Sequence, residues 1–270
     1  CGAIAGAAWL VQGCSAGDSS QSESEGALGS SSAALTADAS AQAAARVTAV
    51  VPAAQVNVQN GRVSRVYGAT LASAASVDAA ADAARDALAP ALGAVAGDLK
   101  GQGGVPVMVD PVTQQPGFYV HRYQQARGGV PVHGAELRTL VRNGATKEVV
   151  WAASTLVDLG SFVAATSARA PSADAAKANA AVKPSSGPTG LLVAPQVLDN
   201  FTQPELVIYA GTAAVPSAPR MAIRYVGSSG KSPARYQFLA DAVTGDILES
   251  QSLAETVAVT GDIRGNATPN

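Results

Sequence analysis

Asn143 and Gly144 stand between two runs of strand-forming residues, VPVHGAELRTLVR at 130–142 and ATKEVVWAASTL at 145–156. Both tolerate the positive φ of a type I′ turn, so the dipeptide predicts an antiparallel hairpin with its register set by the turn. Upstream, GFYVHRYQQ at 117–125 reads as a further strand, and Arg127-Gly128-Gly129 supplies the turn that joins it to the first run. Pro131 and Gly134 suit the irregular start of a strand, because Pro lacks a ladder donor and Gly accepts a bulge. Before this meander, 61–71 (GRVSRVYGATL) alternates as a strand. Ser76 offers an N-cap, and Val77, Ala81, Ala84, Leu88, Leu92, Val95 and Leu99 recur at helical spacing. Pro90 predicts a kink or break near Ala89. A helix laid over one face of an antiparallel sheet is an α+β unit.

A second unit repeats the plan. Ser172 caps a short helix over 173–182, which Pro184 ends. Apolar runs at 191–198, 206–210, 220–226, 234–240 and 247–253 are of strand length, and Asp241 to Gly245 suits a tight turn between the last two. The expected fold is α+β: two consecutive modules, each a helix packed on an antiparallel sheet, after a disordered N-terminal segment. The expected modules are 60–160 and 161–254, followed by a linker at 255–270.

Residues 1–13 (CGAIAGAAWLVQG) form an apolar run too short for a membrane helix and similar to the core of an export signal. Val11-Gln12-Gly13-Cys14 resembles a bacterial lipobox, with Cys14 as the lipidated residue. Residues 1–14 are therefore read as a signal or lipobox remnant. An ordinary export signal with an incidental cysteine is the other reading. Residues 15–59, which open with SAGDSSQSESEGALGSSS, are read as a low-complexity tether. Either reading places the protein outside the cytoplasm, extracellular or lipid-anchored at the cell envelope. A membrane is then met only through the lipid.

Lys and Arg total 18 against 20 Asp and Glu, so no basic excess is present to bind a nucleic-acid backbone. Much of the 47% hydrophobic content is alanine, and aromatic residues make up 4%, so each buried position contributes little apolar area. No HExxH, GxSxG, Walker or GxGxxG pattern occurs, and the chain is read as non-catalytic. His121 and His133 lie on strands joined by the turn near Arg127, so a cross-strand metal pair with Glu136 as third ligand is conceivable. Two partly exposed strand residues are the preferred reading. Arg122, Arg138 and Arg142 read as a solvated stripe on the meander.

The RYQQ of 122–125 (Tyr123, Gln124 and Gln125 within it) and the GVPVHG of 129–134 (Gly129, Val130, Pro131, Val132 and Gly134) resemble the fungalysin/thermolysin propeptide domain. The YQFLADAVTGDILES of 236–250 resembles the terminal hairpin of a PepSY domain, through Asp241, Ala242, Thr244, Gly245 and Leu248. The two occur in the order found in proregions of secreted thermolysin-like and fungalysin-like zinc metalloproteases. That resemblance implies two cystatin-like or PepSY-like modules serving as intramolecular chaperone and inhibitor of a catalytic domain. Such a domain would follow in cis, and it alone would hold zinc; no cofactor is expected within this chain. The alternative is a free-standing exported lipoprotein that binds or inhibits an external protease or another protein. An HExxH with a downstream Glu in the reading frame beyond Asn270 would favour the first. Asp241, Thr244 and Gly245 are read chiefly as turn formers, with partner contact as the second option.

Overall fold

The computed structural model describes residues 24–165, 177, 182–186, 192–212, 215–231 and 234–253. The chain opens with α1 (Ser24–Val50), β1 (Gln55–Gln59), β2 (Arg62–Ala74) and α2 (Val77–Ala91). A 3₁₀ turn (Ala96–Asp98) leads into β3 (Leu99–Val109), β4 (Pro116–Arg127), β5 (Val130–Asn143) and β6 (Lys147–Ser154). The second half holds β7 (Val182–Ser186), β8 (Leu192–Val197), β9 (Asn200–Phe201), β10 (Glu205–Gly211), β11 (Pro216–Ser228), β12 (Arg235–Asp241) and β13 (Ile247–Ser252). No helix among the described residues is long and apolar enough to cross a membrane.

Alanine decides how the helices pack. The side chain of Ser76 caps α2 by accepting from the Ala79 N–H at 3.2 Å. Ala80, Ala81, Ala84, Leu88 and Ala91 then form a buried stripe, with small side chains that let the helix axis lie close to the sheet. α1 presents Ala43, Val47 and, just past its end, Val51 to the same core, where Val66, Tyr123, Leu137, Val141 and Val149 rise from the strands. Pro90 falls in the last turn of α2, where only Ala91 follows it in the helix and little is left to disrupt. The helix stops at Ala91, and Gly93 turns the chain at φ +79°.

Eleven strands form one mixed sheet, with the order β1-β2-β6-β5-β10-β11-β12-β13. β3 is attached through β4 beside β5, and β9 is attached to β11. β7 and β8 pair separately. β5 is the hinge of the architecture. Its 137–143 half pairs with β6, while Val132, in its first half, meets Ile208 of β10 in a parallel rung. Around that rung Val130, Val132, Ala135, Val157, Leu159, Ile208 and Ala210 form their own buried cluster. The second half has a core of Leu198, Ile223, Tyr225, Phe238 and Ala240, with the Tyr225 and Phe238 rings stacked at 5.4 Å.

These facts correct the expected fold class. The chain does not form two consecutive helix-on-antiparallel-sheet modules, because one mixed sheet runs through both halves. The helices that pack on it, α1 and α2, both lie in the first half. Most of the helix expected over 173–182 lies outside the described residues; Lys177 is helical, but Val182 opens β7 and Pro184 sits within that strand. In the second half Leu198 and Phe201, from an irregular segment and the short β9, cover the Tyr225–Phe238 core. An alternating strand pattern shows that one face is apolar, not which element covers it. The disordered start is corrected too: α1 begins at Ser24, and β1 lies within the expected tether. Val95 and Leu99, expected on the helix, lie beyond it; Val95 is exposed and Leu99 begins β3.

Candidate functional site

Tyr123, Gln124 and Gln125 are three consecutive residues with three separate attachments. The Tyr123 hydroxyl donates to Asp82 Oδ1 of α2 at 3.0 Å, and the Arg85 guanidinium lies 5.3 Å from the ring centroid. Burial first, and then the bond to Asp82, raise the pKa of this hydroxyl well above that of an ordinary tyrosine. Gln124 Nε2 donates to the carbonyls of Val132 (2.7 Å) and Ala135 (2.9 Å), gripping β5 on both sides of Gly134. Gly134 takes φ +66°, and Thr155 Oγ1 donates to its carbonyl at 2.7 Å while accepting from Glu136 N–H. Gln125 stands at a register shift between β4 and β5 and is 0% exposed. Its side-chain amide donates to the Val157 carbonyl at 2.8 Å and accepts from the Val157 N–H at 3.0 Å, as a neighbouring strand would.

The rest of the motif belongs to the same joint. Val130 and Val132 fill the seam against Ile208, Pro131 pairs with Ala126 without needing a donor, and Gly129 takes φ +82° in the turn. Arg127 ties down the strap that leaves β6: its guanidinium donates to Asp98 Oδ2 and to the carbonyls of Gly160 and Phe162. In the other motif Asp241 Oδ1 accepts from the N–H groups of Val243 and Thr244, Thr244 Oγ1 donates to Asp246, and Gly245 takes φ +79°. Ala242 is buried there, and Leu248 packs beside the Val207–Ala222–Leu239 cluster. Most of the quoted motif residues thus shape a joint or a turn, while Leu248 packs on a core cluster.

The histidines are used apart. His121 pairs in register with Thr139 and Gly104 and, contrary to the expected partial exposure, is buried beneath α2, with Nε2 3.5 Å from Asp78 Oδ1. A side chain on Gly104 would collide with the imidazole, its Cβ lying 2.4 Å from Nε2. His133 lines a cavity with Glu249, and Glu136 is ion-paired with Arg138. Among the described residues no group of three or more His, Cys, Asp or Glu is placed to hold a metal ion. Burial lowers the pKa of both histidines, partly offset by Asp78 at His121 and by Glu249 at His133. The unfolded chain therefore binds more protons than the fold below pH about 6.5, and stability, flat above that, should fall as pH drops through it. Thermal unfolding at several pH values checks this; His121→Gln should flatten the slope, and an unchanged slope would contradict the assignment.

The arginines stand on the sheet face opposite the helices. Arg65, Ala153, Arg138 and Arg122 are cross-strand neighbours in one row, and Tyr67, Trp151, Leu140, Val120 and Val105 form the next. Tyr67 is 39% and Val105 57% exposed, and the other three are half-buried. Arg138 pairs with Glu136 and Arg142 with Glu148. A groove of about 380 Å³ runs along this face, lined by Arg65, Glu136, Arg138, Trp151 and Ala153 among others. Sequence reasoning singles out three of the arginines but misses Arg65, Tyr67 and Trp151. Their signal is the alternation in β2 and β6, which becomes a surface only when the two strands pair. Asp82 and Val157, which receive the Tyr123 and Gln125 side chains, leave no local signal. Cys14 and the 255–270 segment lie outside the described residues.

No family model matches the chain, and no curated protein does. The propeptide and PepSY resemblances therefore rest on the residues quoted for them. Among solved structures the chain is similar to the Bacillus megaterium YpeB C-terminal domain, at 13% identity and a TM-score of 0.32. The alignment covers 74% of this chain and 75% of that one.

Proposed function

We propose that this chain is a non-catalytic, proregion-type module that binds the catalytic domain of an exported zinc metalloprotease, inhibiting it and assisting its folding. The partner is joined in cis, or met in trans if the chain is a free-standing lipoprotein anchored through Cys14. One observation carries the reading: the sheet face opposite α1 and α2 holds a five-strand apolar row beside an arginine row. Aromatic residues and arginine are the residue types that supply most binding energy in protein interfaces. A stable complex buries about 1,600 Å² in total, and a sheet of this width can contribute half of that. Zinc is expected only in the partner.

The test mixes the whole chain with a thermolysin-like enzyme and follows peptide hydrolysis. Inhibition at micromolar concentration is expected, and Trp151→Asp combined with Arg122→Glu should weaken it about 100-fold, the loss of two interface anchors at more than 1 kcal/mol each. Unchanged hydrolysis with the chain still intact would count against a protease partner. Equal inhibition by the double variant would move the interface off this face.

A further inference from the structure

A cavity of about 270 Å³ lies at the seam between the two halves of the sheet. The first half contributes an apolar wall of Val63, Leu156 and Val157, together with Arg62 and His133; the second half contributes Glu249. Burial lowers the pKa of the Arg62 guanidinium, and among the described residues no carboxylate opposes the effect. Glu249 is engaged by the Tyr209 hydroxyl, yet its Oε2 is buried without a hydrogen-bond partner. His133 Nδ1 is buried and without a partner as well. Unpaired buried polar atoms are costly, and two of them belong to residues that line this one cavity. Gly134 also lines the cavity, and the space where its Cβ would stand is empty.

One guanidinium, one carboxylate and one neutral imidazole around an apolar wall select a particular ligand chemistry. A primary ammonium can donate to Glu249 and, in the tautomer protonated at Nε2, to His133 Nδ1. A carboxylate or carbonyl oxygen answers Arg62, and an aliphatic or aromatic side chain covers Val63, Leu156 and Val157. The volume falls just below the roughly 300–1,000 Å³ of sites for drug-sized molecules, which points to something smaller. We infer that this cavity binds an apolar α-amino acid, free or as the N-terminal residue of a short peptide. Because both halves line the cavity, such a ligand would also fasten the seam. A protease partner is not required for any of this.

The experiment measures thermal unfolding and titration calorimetry of the whole chain with L-leucine, L-phenylalanine, N-acetyl-L-leucine, L-leucinamide and Leu-Gly-Gly. At about 10 mM, L-leucine or L-phenylalanine should raise the midpoint by several degrees, as expected of a ligand bound only by the native state. N-acetyl-L-leucine, which lacks the ammonium, should bind at least about tenfold more weakly. Leu-Gly-Gly binding as tightly as leucine would assign the site to peptide ends; weaker binding would assign it to the free amino acid. Glu249→Gln should remove the preference for leucine over its acetylated form, and Arg62→Gln the preference for leucine over leucinamide. If a variant does not fold, the wild-type comparison of leucine with N-acetyl-L-leucine decides alone. No response to leucine or phenylalanine, or equal responses to the free and acetylated forms, would overturn the assignment.

Discussion

Gln125→Leu should destabilise the fold by about 1–4 kcal/mol, although leucine is of similar size and more hydrophobic. Burying two methyl groups in place of the amide recovers about 1–2 kcal/mol at this closed position, less than the loss. The loss is on the other strand. Val157, itself only 5% exposed, gives its N–H and C=O to the Gln125 amide. Each buried group left without a partner costs about 1–3 kcal/mol. Chemical denaturation monitored by circular dichroism checks the prediction. A loss under about 1 kcal/mol would mean that water or a shifted strap replaces the amide. Gln124→Ala should cost less, since its side chain is only half-buried and water can enter the space it leaves.

Ile208→Ala is the second large effect. Ile208 is 0% exposed, makes the rung to Val132 and sits at the centre of the seam cluster. Removing its side chain should cost about 2–5 kcal/mol through lost burial and the cavity left behind. The consequence for cooperativity is sharper than the number. The other buried clusters lie within one half or the other, so weakening the seam should resolve one unfolding transition into two. Calorimetry of the variant against Ile223→Ala, which lies within the second core, tests this. A single transition of unchanged width in Ile208→Ala would show that the halves unfold as one unit.

The turns show both how far local sequence reaches and where it stops. Asn143-Gly144 does mark a hairpin, but neither residue takes positive φ; β5 and β6 are joined by a three-residue loop, with Asn143 opposite Lys147. Asn143 uses its side chain instead to donate to the Pro116 carbonyl of β4. The two-residue turn with both central φ values positive is made by Asn60-Gly61, at 51° and 73°, between β1 and β2. Both dipeptides are compatible with the turn, and the strands they join decide which one makes it. The strands β2, β4, β5, β6, β8, β10, β11, β12 and β13 are legible because alternation and apolar runs of strand length are local properties. β3 is not: its glycines and exposed residues carry no alternation, and its partner β4 alone recruits it. α1 escapes notice because an alanine and serine run has no apolar face until the core selects Ala43 and Val47.

The candidate site divides the same way. The residue types of YQQ and GVPVHG can be singled out from sequence, but the work each does depends on groups far along the chain. Tyr123 meets Asp82, Gln125 meets Val157 and Val132 meets Ile208. By itself the sequence determined the strands of the meander, the N-cap and apolar stripe of α2, the Asp241 to Gly245 turn, and the lack of any recognised catalytic motif. Each of these is settled within a few residues by backbone sterics, capping or side-chain period. The tertiary structure alone decided that one sheet spans both halves and that α1 and α2 cover only the first. It also decided that, among the described residues, an arginine and aromatic face stays open. Those outcomes depend on which apolar surfaces find each other, and a residue's burial partner is not written in its neighbours.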